Sequence, residues 1–470
     1  MILYRLLRAL GRLALRWFYR DIEVIGAAHF PATGPVLVAS NHPNALVDAL
    51  VIACTLDRHV TLTAKATLMD HPVTRMLMRA VGVVPLRRAS DERARVRNAQ
   101  GQSVDVDLSR NEHAFAAVLD VLRHGGVVLL FPEGKSHSEP ALAPLKTGLA
   151  RIALMARDQC GIDQLPIVPI GLTFERKWEP RTRVVMSVGA PITAEVPNDV
   201  PDVAGLTERI DLGLRGVTLN FRTEEDARWV LSISRTLAEI LDDFRPLHAP
   251  DPPFRQSVRL AQRVDVIASR LPRLDLELAT RVDRFLERLD AFEDTARVHA
   301  VSANDVQMTT AIVPGIGFVV RELVIALLAG PLALWGRVNH WVPLRLARWM
   351  GVRTSRTPDE PAMHTMVAGV VLVLAFYLVQ TTVATLLGGW AVGLLYAVSL
   401  PVSASWDLRY ADRRRRAAAR LRTYLRLRRD PVLHSSLVRD VAWLRSEALS
   451  LNEELERDTD ALDDRQQLAR

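Results

Sequence analysis

The sequence predicts an α/β domain, a mixed sheet flanked by helices, followed by an α-helical region and C-terminal membrane helices. Three observations carry that expectation. Residues 21–202 alternate short runs rich in Val, Ile and Leu with helical patterns. Residues 203–308 lose the strand signal and become charged, Leu- and Arg-rich and helically periodic. From Pro361 to Trp406, 46 residues pass without an Asp, Glu, Lys or Arg. About 20 apolar residues suffice for one membrane-spanning helix, so this stretch is long enough for two.

In chain order, residues 1–20 come first. Arg5, Arg8, Arg12, Arg16 and Arg20 recur every three or four positions among Leu, Trp17 and Phe18, which predicts an amphipathic helix lying in a membrane interface. No apolar run there is long enough for a secretory signal. In the 21–202 domain, "PVLVAS" (35–40), "GVVPL" (82–86), "GVVLLF" (126–131), "LPIVPIGLTF" (165–174) and "RVVMSVG" (183–189) read as buried strands. Ser109 with Glu112 forms a capping box. It opens a helix expected to run to Arg123 and to end at Gly125 and Gly126. The helices of 203–308 carry no recognisable chemistry and read as scaffold or partner contacts. The apolar stretch 309–336 holds Arg321 and Glu322 in its middle. A charged pair at mid-bilayer is costly, so a re-entrant or interfacial segment is expected there. For 361–406 a transmembrane hairpin is expected, turning at Gly388 and Gly389, with Arg-rich flanks on both sides that place its two ends in the cytoplasm. Residues 407–470 form a charged cytoplasmic helical tail.

Composition narrows the function. The chain has 470 residues, is 49% hydrophobic and carries a net charge of +7. A basic balance suits nucleic acid, an anionic membrane or anionic substrates. Aromatic residues are sparse and no zinc-finger spacing occurs, so nucleic acid is not expected as a partner and membrane lipids are. Cys54 and Cys160 form neither a disulfide framework nor a metal motif. No metal and no cofactor are expected. Almost all the positive charge is Arg. The only lysines are Lys65, Lys135, Lys146 and Lys177.

Four stretches carry chemistry. In "VLVASNHPNALVDAL" (36–50), Pro43 suits a helix start and pushes His42 towards an extended conformation. That places the imidazole at a strand's carboxyl end, where α/β proteins hold ligands. Asp48 follows nearby. A carboxylate beside a His fixes its tautomer and stabilises the imidazolium, so His42 is a candidate general base that needs no Ser or Cys nucleophile. In "FPEGKSHSEPALAPLKTG" (131–148), Gly134 lets backbone N–H groups approach an anion, Lys135 and Lys146 add compact charge, and Glu133 can accept from a substrate hydroxyl or hold a basic neighbour. "GVVPLRR" (82–88) ends a strand in a basic pair, of which Arg88 suits phosphate. "IVPIGLTF" (167–174) is strand core shaped by Pro169.

In this order the four stretches resemble the blocks of the glycerophospholipid acyltransferases, of the 1-acylglycerol-3-phosphate acyltransferase type, over roughly residues 30–195. Asn41-His42 with Asp48 matches the first block, Gly82 with Arg88 the second, Phe131-Pro132-Glu133-Gly134 with Ser136 the third, and Val168-Pro169-Ile170 the fourth. Five residues separate His42 from Asp48, where the family usually has four. "FPEGKSH" and "LAPLKTG" are similar to the fungal-type glycerol-3-phosphate and dihydroxyacetone-phosphate branch, which also carries C-terminal membrane segments. The resemblance implies acyl transfer from acyl-CoA, or acyl carrier protein, to glycerol-3-phosphate or lysophosphatidate (1-acylglycerol-3-phosphate). It implies His42 and Asp48 as catalytic, and Asn41, Arg88, Glu133, Gly134, Lys135, Ser136 and Lys146 as substrate-binding. Gly82 and Pro169 are left as acyl-donor or structural positions. Oxyanion donors are expected from backbone N–H groups near Pro169 to Gly171. An amine or another lysophospholipid as acceptor, or a non-catalytic lipid-binding scaffold, remain alternatives. The expected location is a bacterial-type inner membrane with the catalytic domain in the cytoplasm.

Overall fold

A computed structural model describes residues 2–86, 112–193, 202–242, 252–270 and 275–468. The chain divides into two compact units, one formed by Met1–Asn220 with Pro343–Val373, the other by Phe221–Val342 with Leu374–Arg470.

The first unit is built on an eight-stranded mixed sheet. Its strands are β1 (Asp21–Ile25), β2 (Val36–Ser40), β3 (Val60–Lys65), β4 (Val84–Leu86), β5 (Val127–Leu130), β6 (Pro166–Phe174), β7 (Arg183–Val188) and β8 (Ile192–Thr193). They lie in the order β1-β7-β6-β2-β5-β3-β4, with β8 on β6. Pairings are parallel except β6 with β7 and with β8. Parallel strands are covered on both faces and so read as unbroken apolar runs; β2 and β5 are buried at every residue. Alternation assigns the faces. Val36, Val38, Val127 and Leu129 pack into one core with α1 (Ile2–Phe18) and α2 (Leu46–Thr55). Leu37, Ala39, Val128 and Leu130 pack into another with α4 (Glu112–Arg123) and α5 (Gly148–Cys160). The short helix α3 (Pro72–Val81) precedes β4 and ends on Gly82.

All five strands read from the sequence are present within a residue or two; β1, β3 and the two-residue β8 are additional. Strand β1 is a half-exposed edge, and β3 alternates Val60, Leu62 and Ala64 with Thr61, Thr63 and Lys65, so both are short alternations rather than the apolar runs by which the other strands were read. Ser109 lies outside the described residues. The helix it was expected to open is described from Glu112 and ends where Gly125 and Gly126 donate back to Leu122 and Val121. Helix α1 buries Leu15 and Phe18 and exposes Leu3, Leu6 and Leu13. Two arginines of its stripe do local work: Arg12 Nε donates to Cys54 O at 2.9 Å, and Arg8 to Leu56 O, supplying donors to the carbonyls at the end of α2.

The expected boundary at residue 202 moves outward. Helix α6 (Val203–Arg215) buries Leu206, Ile210 and Leu214 in the α4/α5 core, so the first unit continues to Asn220.

The second unit is helical. Helices α7 (Glu224–Leu241), α9 (Leu276–Val298) and α10 (Ala303–Val306) share an apolar core with α13 (Pro431–Leu468), and α8 (Phe254–Arg270) lies against α7. Two long helices pass between the units in sequence, α11 (Ile312–Thr354) and α12 (Pro361–Arg429), and both are long and apolar enough to cross a membrane. The re-entrant form expected for 309–336 is not seen: from Ile312 the segment runs unbroken into Thr354. Its internal charge is answered instead by a partner, Arg413, whose guanidinium donates to both oxygens of Glu322 at 2.6 and 2.9 Å. In α12, Gly389 leaves the helix at φ 81°, ψ 173°, a conformation open to glycine and closed to side chains with a Cβ. Thr385 then faces Gly393 so closely that a Cβ there would lie 1.9 Å from its hydroxyl.

Candidate active site

The site forms where β2 and β5 end side by side. After Ser40 the chain leaves the sheet through Asn41-His42-Pro43-Asn44-Ala45 and enters α2 at Leu46. The His42 ring stacks on Phe131, the residue that follows β5, with ring centres 3.8 Å apart and planes within 9°. Its Nδ1 lies 2.9 Å from Asp48 Oδ2. The same oxygen accepts from Asn44 N at 2.7 Å. An ionised carboxylate accepts only, so Nδ1 is the donor and Nε2 is left to take a proton. Nε2 has no hydrogen-bond partner among the described residues. The longer His-to-Asp spacing therefore still pairs the two groups. The extra residue is taken up in the turn, where Ala45 adopts φ 48° before the helix starts.

Asp48 is fully buried, and its second oxygen, Oδ1, has no hydrogen-bond partner. Burial pushes its carboxyl above the ordinary range; the His42 hydrogen bond and charge, the Asn44 N–H and the Lys177 charge work against that. Behind it, Asn44 Nδ2 donates to Tyr19 Oη and to Lys177 O, each at 3.1 Å. Burial and the Asp48 charge raise Tyr19 well above a normal phenol, so it stays protonated.

Glu133 does structural work that the sequence left open. It is 3% exposed. Oε1 accepts from His42 N at 2.8 Å, and Oε2 accepts from Ala143 N at 2.8 Å and from the His137 ring. The basic neighbour it holds is His137, and the carboxylate ties the backbone under the His42 imidazole to the 131–147 loop. Two further bonds close that tie, His137 N to His42 O at 3.1 Å and Ala45 N to Ser136 Oγ at 3.0 Å. Gly134 sits in the left-handed region at φ 78° and closes the turn on Phe131 O. The Lys146 side chain lies beside it, and Lys135 and Lys146 are both exposed.

Several expectations change. Asn41 was expected to bind substrate, but its amide bonds Leu172 with both ends, Nδ2 to O at 3.1 Å and Oδ1 from N at 2.8 Å. It fastens the catalytic turn to β6 and has little left for a ligand. Pro169 is buried inside β6 opposite Ala39, and Ile170 and Gly171 lie in the sheet between β2 and β7. Their N–H groups face sheet partners rather than an oxyanion. Gly82 caps α3 in the left-handed conformation with open space where a Cβ would lie, so the chain's path is what requires glycine there. Arg88 lies outside the described residues. No group of His, Cys, Asp or Glu among the described residues could hold a metal ion.

The residues that sequence reasoning passed over are Tyr19, Asn44, Lys177 and Asp359. Asn44 was visible inside the Asn-His-Pro-Asn motif. Asp359 was not. It lies in the loop 355–360 between α11 and α12; burial works to raise its carboxyl, but the Ser136 and Thr357 side chains, its own backbone N–H and the His42 charge hold it below the ordinary range.

Comparison with known proteins follows from this geometry. Residues 21–173 match the acyltransferase family. Over 146 residues the chain is 34% identical to glycerol-3-phosphate O-acyltransferase 2 of Saccharomyces cerevisiae, covering 30% of this chain and 20% of that protein. Over 193 residues it is 28% identical to 1-acyl-sn-glycerol-3-phosphate acyltransferase alpha of Mus musculus, covering 39% and 59%. Both matches span less than two thirds of the relative's length. Among solved structures, the 1-acyl-sn-glycerophosphate acyltransferase of Thermotoga maritima aligns with a TM-score of 0.34 and 18% identity, over 46% of this chain and 78% of that one.

Proposed function

Residues 21–173 form an acyltransferase-family domain of the glycerophospholipid acyltransferase superfamily, and from that premise we propose that the chain is a membrane-bound glycerolipid O-acyltransferase. It moves a fatty-acyl chain from acyl-CoA, or acyl carrier protein, to glycerol-3-phosphate or 1-acylglycerol-3-phosphate, making lysophosphatidic or phosphatidic acid. The observation that carries the reading is His42 Nδ1 bound to buried Asp48 at 2.9 Å, with the opposite ring nitrogen unpaired among the described residues.

The acceptor hydroxyl gives its proton to His42 Nε2 as its oxygen attacks the thioester carbonyl. Imidazole suits the task because its unperturbed pKa of about 6.5 lies near operating pH. Asp48 keeps Nδ1 protonated and offsets the positive charge that forms on the ring. The tetrahedral intermediate collapses, the C–S bond breaks, and the thiolate leaves, taking the proton from the imidazolium. The acceptor phosphate is held by Lys135, Ser136 and Lys146, on the loop that Glu133 fixes, and by Arg88. Holding both substrates in near-attack geometry contributes as much as proton transfer. The membrane helices keep the site where acyl chains emerge from the bilayer of a bacterial-type inner membrane, catalytic face to the cytoplasm.

The test is turnover with labelled acyl-CoA over a panel of acceptors in detergent. His42→Ala is expected to lower turnover by about 10³-fold or more while melting as the parent does. A variant that keeps a tenth of the activity sinks the mechanism, and a parent that acylates none of the acceptors sinks the function.

A further inference from the structure

Helix α2, which carries Asp48, starts without a side-chain cap of its own. The residue before it, Ala45, sits at φ 48° and ψ −132°, a conformation that a residue with a Cβ rarely adopts. A turn held there relaxes unless its neighbours fix it. Asn44 is such a neighbour. It is 1% exposed, and its two Nδ2 protons go to Tyr19 Oη and Lys177 O, each at 3.1 Å. The Lys177 carbonyl can only accept, which fixes the orientation of the amide, and no donor of the side chain is left for a ligand. The tyrosine anchor is itself held. Tyr19 is 1% exposed, its ring centre lies 4.9 Å from that of Phe18 and 5.8 Å from that of Phe174, and its carbonyl accepts from Arg181 Nη1 at 3.0 Å. From this fixed position Asn44 N reaches Asp48 Oδ2 at 2.7 Å, the same oxygen that His42 Nδ1 bonds at 2.9 Å.

We propose that Asn44 is a positioning residue for the proton transfer: its amide, tied to Tyr19 and to Lys177 O, holds its own backbone N–H on Asp48 Oδ2 and so keeps that oxygen facing His42 Nδ1. This rests on the acyltransferase reading above. The other carboxylate oxygen, Oδ1, has no hydrogen-bond partner among the described residues, so nothing on that side fixes the carboxylate. With the Asn44 N–H displaced, the carboxylate is free to turn and Nδ1 loses its steady acceptor. The ring then spends part of its time with the proton on Nε2, where it cannot take one from an alcohol. Asn44 acts through Asp48 rather than on substrate, so its loss falls on the chemical step and spares binding.

The test compares two variants of the full chain in detergent with the parent. Tyr19→Phe removes the Oη acceptor and keeps the ring; Asn44→Ala removes the anchored amide. Nitrogen-15 NMR of the histidine rings at about pH 8, where an ordinary imidazole is neutral, reads the His42 tautomer, its signals being those lost in His42→Ala. The parent is expected to hold the proton on Nδ1 alone, and both variants to show a mixture of tautomers. With labelled acyl-CoA and the acceptor that the parent uses, kcat is expected to fall about three- to tenfold in Tyr19→Phe and about 30- to 100-fold in Asn44→Ala, with both KM values within about twofold of the parent. The double variant should match Asn44→Ala, because the two changes break one link. A Tyr19→Phe ring with its proton still on Nδ1 alone, or a double variant that loses the product of the two single effects, overturns the proposal. Should Asn44→Ala fail to fold, Tyr19→Phe alone decides. A tautomer mixture in the variants of a parent that turns over no acceptor leaves the positioning role standing and removes the acyl-transfer reading; turnover with kcat and tautomer unchanged in the variants removes the positioning role alone.

Discussion

Asp48 is buried with one oxygen serving two donors and the other serving none. A buried carboxylate oxygen without a protein partner among the described residues is a stability cost. Replacing the residue should therefore move activity and stability in opposite directions. In Asp48→Asn the amide oxygen can still accept from both Asn44 N and His42 Nδ1, but it carries no charge to stabilise the imidazolium that forms when Nε2 takes a proton. Turnover is expected to fall by about 10²- to 10⁴-fold, while the melting temperature in detergent holds or rises. A variant within threefold of the parent, or one that no longer folds, contradicts this account of the pair. His42 and Asp48 were legible in sequence because a strand end, a Pro and a nearby carboxylate lie within one short stretch. Glu133 was legible as important but not in its role: nothing in "FPEGK" reveals that its oxygens are committed to His42, Ala143 and His137. Asp359 carried no signal, because it meets Ser136 only through the fold.

At the scale of elements, the strands that line the site were readable from their apolar runs, whereas β1 and β3 were not. Both are short polar/apolar alternations, Asp21-Ile22-Glu23-Val24 and Val60-Thr61-Leu62-Thr63-Ala64-Lys65, which lack the continuous apolar run by which the buried strands were read. The helical region was read correctly as helical and silently as to chemistry, and the structure adds one titratable link there. Glu239 on α7 accepts from Asn304 N, at the start of α10, at 3.4 Å. Burial pushes it up to about 7 from an ordinary 4.5, against the Asn304 N–H and the Arg235 charge. Because the folded state holds the proton more tightly than the unfolded chain, this residue costs stability as pH rises from about 4.5 to about 7, and the cost persists above that. The protein is expected to melt a few degrees lower at pH 8 than at pH 5, and Glu239→Gln to recover about 3 °C or more at pH 8 with no gain at pH 5. Equal gains at both values would show that ionisation is not the cause.

For the whole molecule, two helices long and apolar enough to cross a membrane support association with a bilayer. Large apolar side chains on α11 and α12, among them Leu327, Leu328, Leu386, Leu387 and Trp390, are exposed in the isolated chain; an aqueous protein does not sustain a patch of that extent. Alkaline carbonate washing of membranes is expected to leave the chain in the pellet, and purification to require detergent. Recovery in the supernatant would show that the helices do not span.

The unit that contains the site is discontinuous: residues 343–373 complete a body begun by residues 1–220. On the ribosome, roughly 120 intervening residues must emerge first, a delay of about 10 s at usual elongation rates. Until then the face of β2 and α2 that receives Ala362 and Met366 stays uncovered. The first unit therefore waits, unfinished and sticky, for a segment carried on the two long apolar helices, and a chain cut short before residue 343 lacks part of its core.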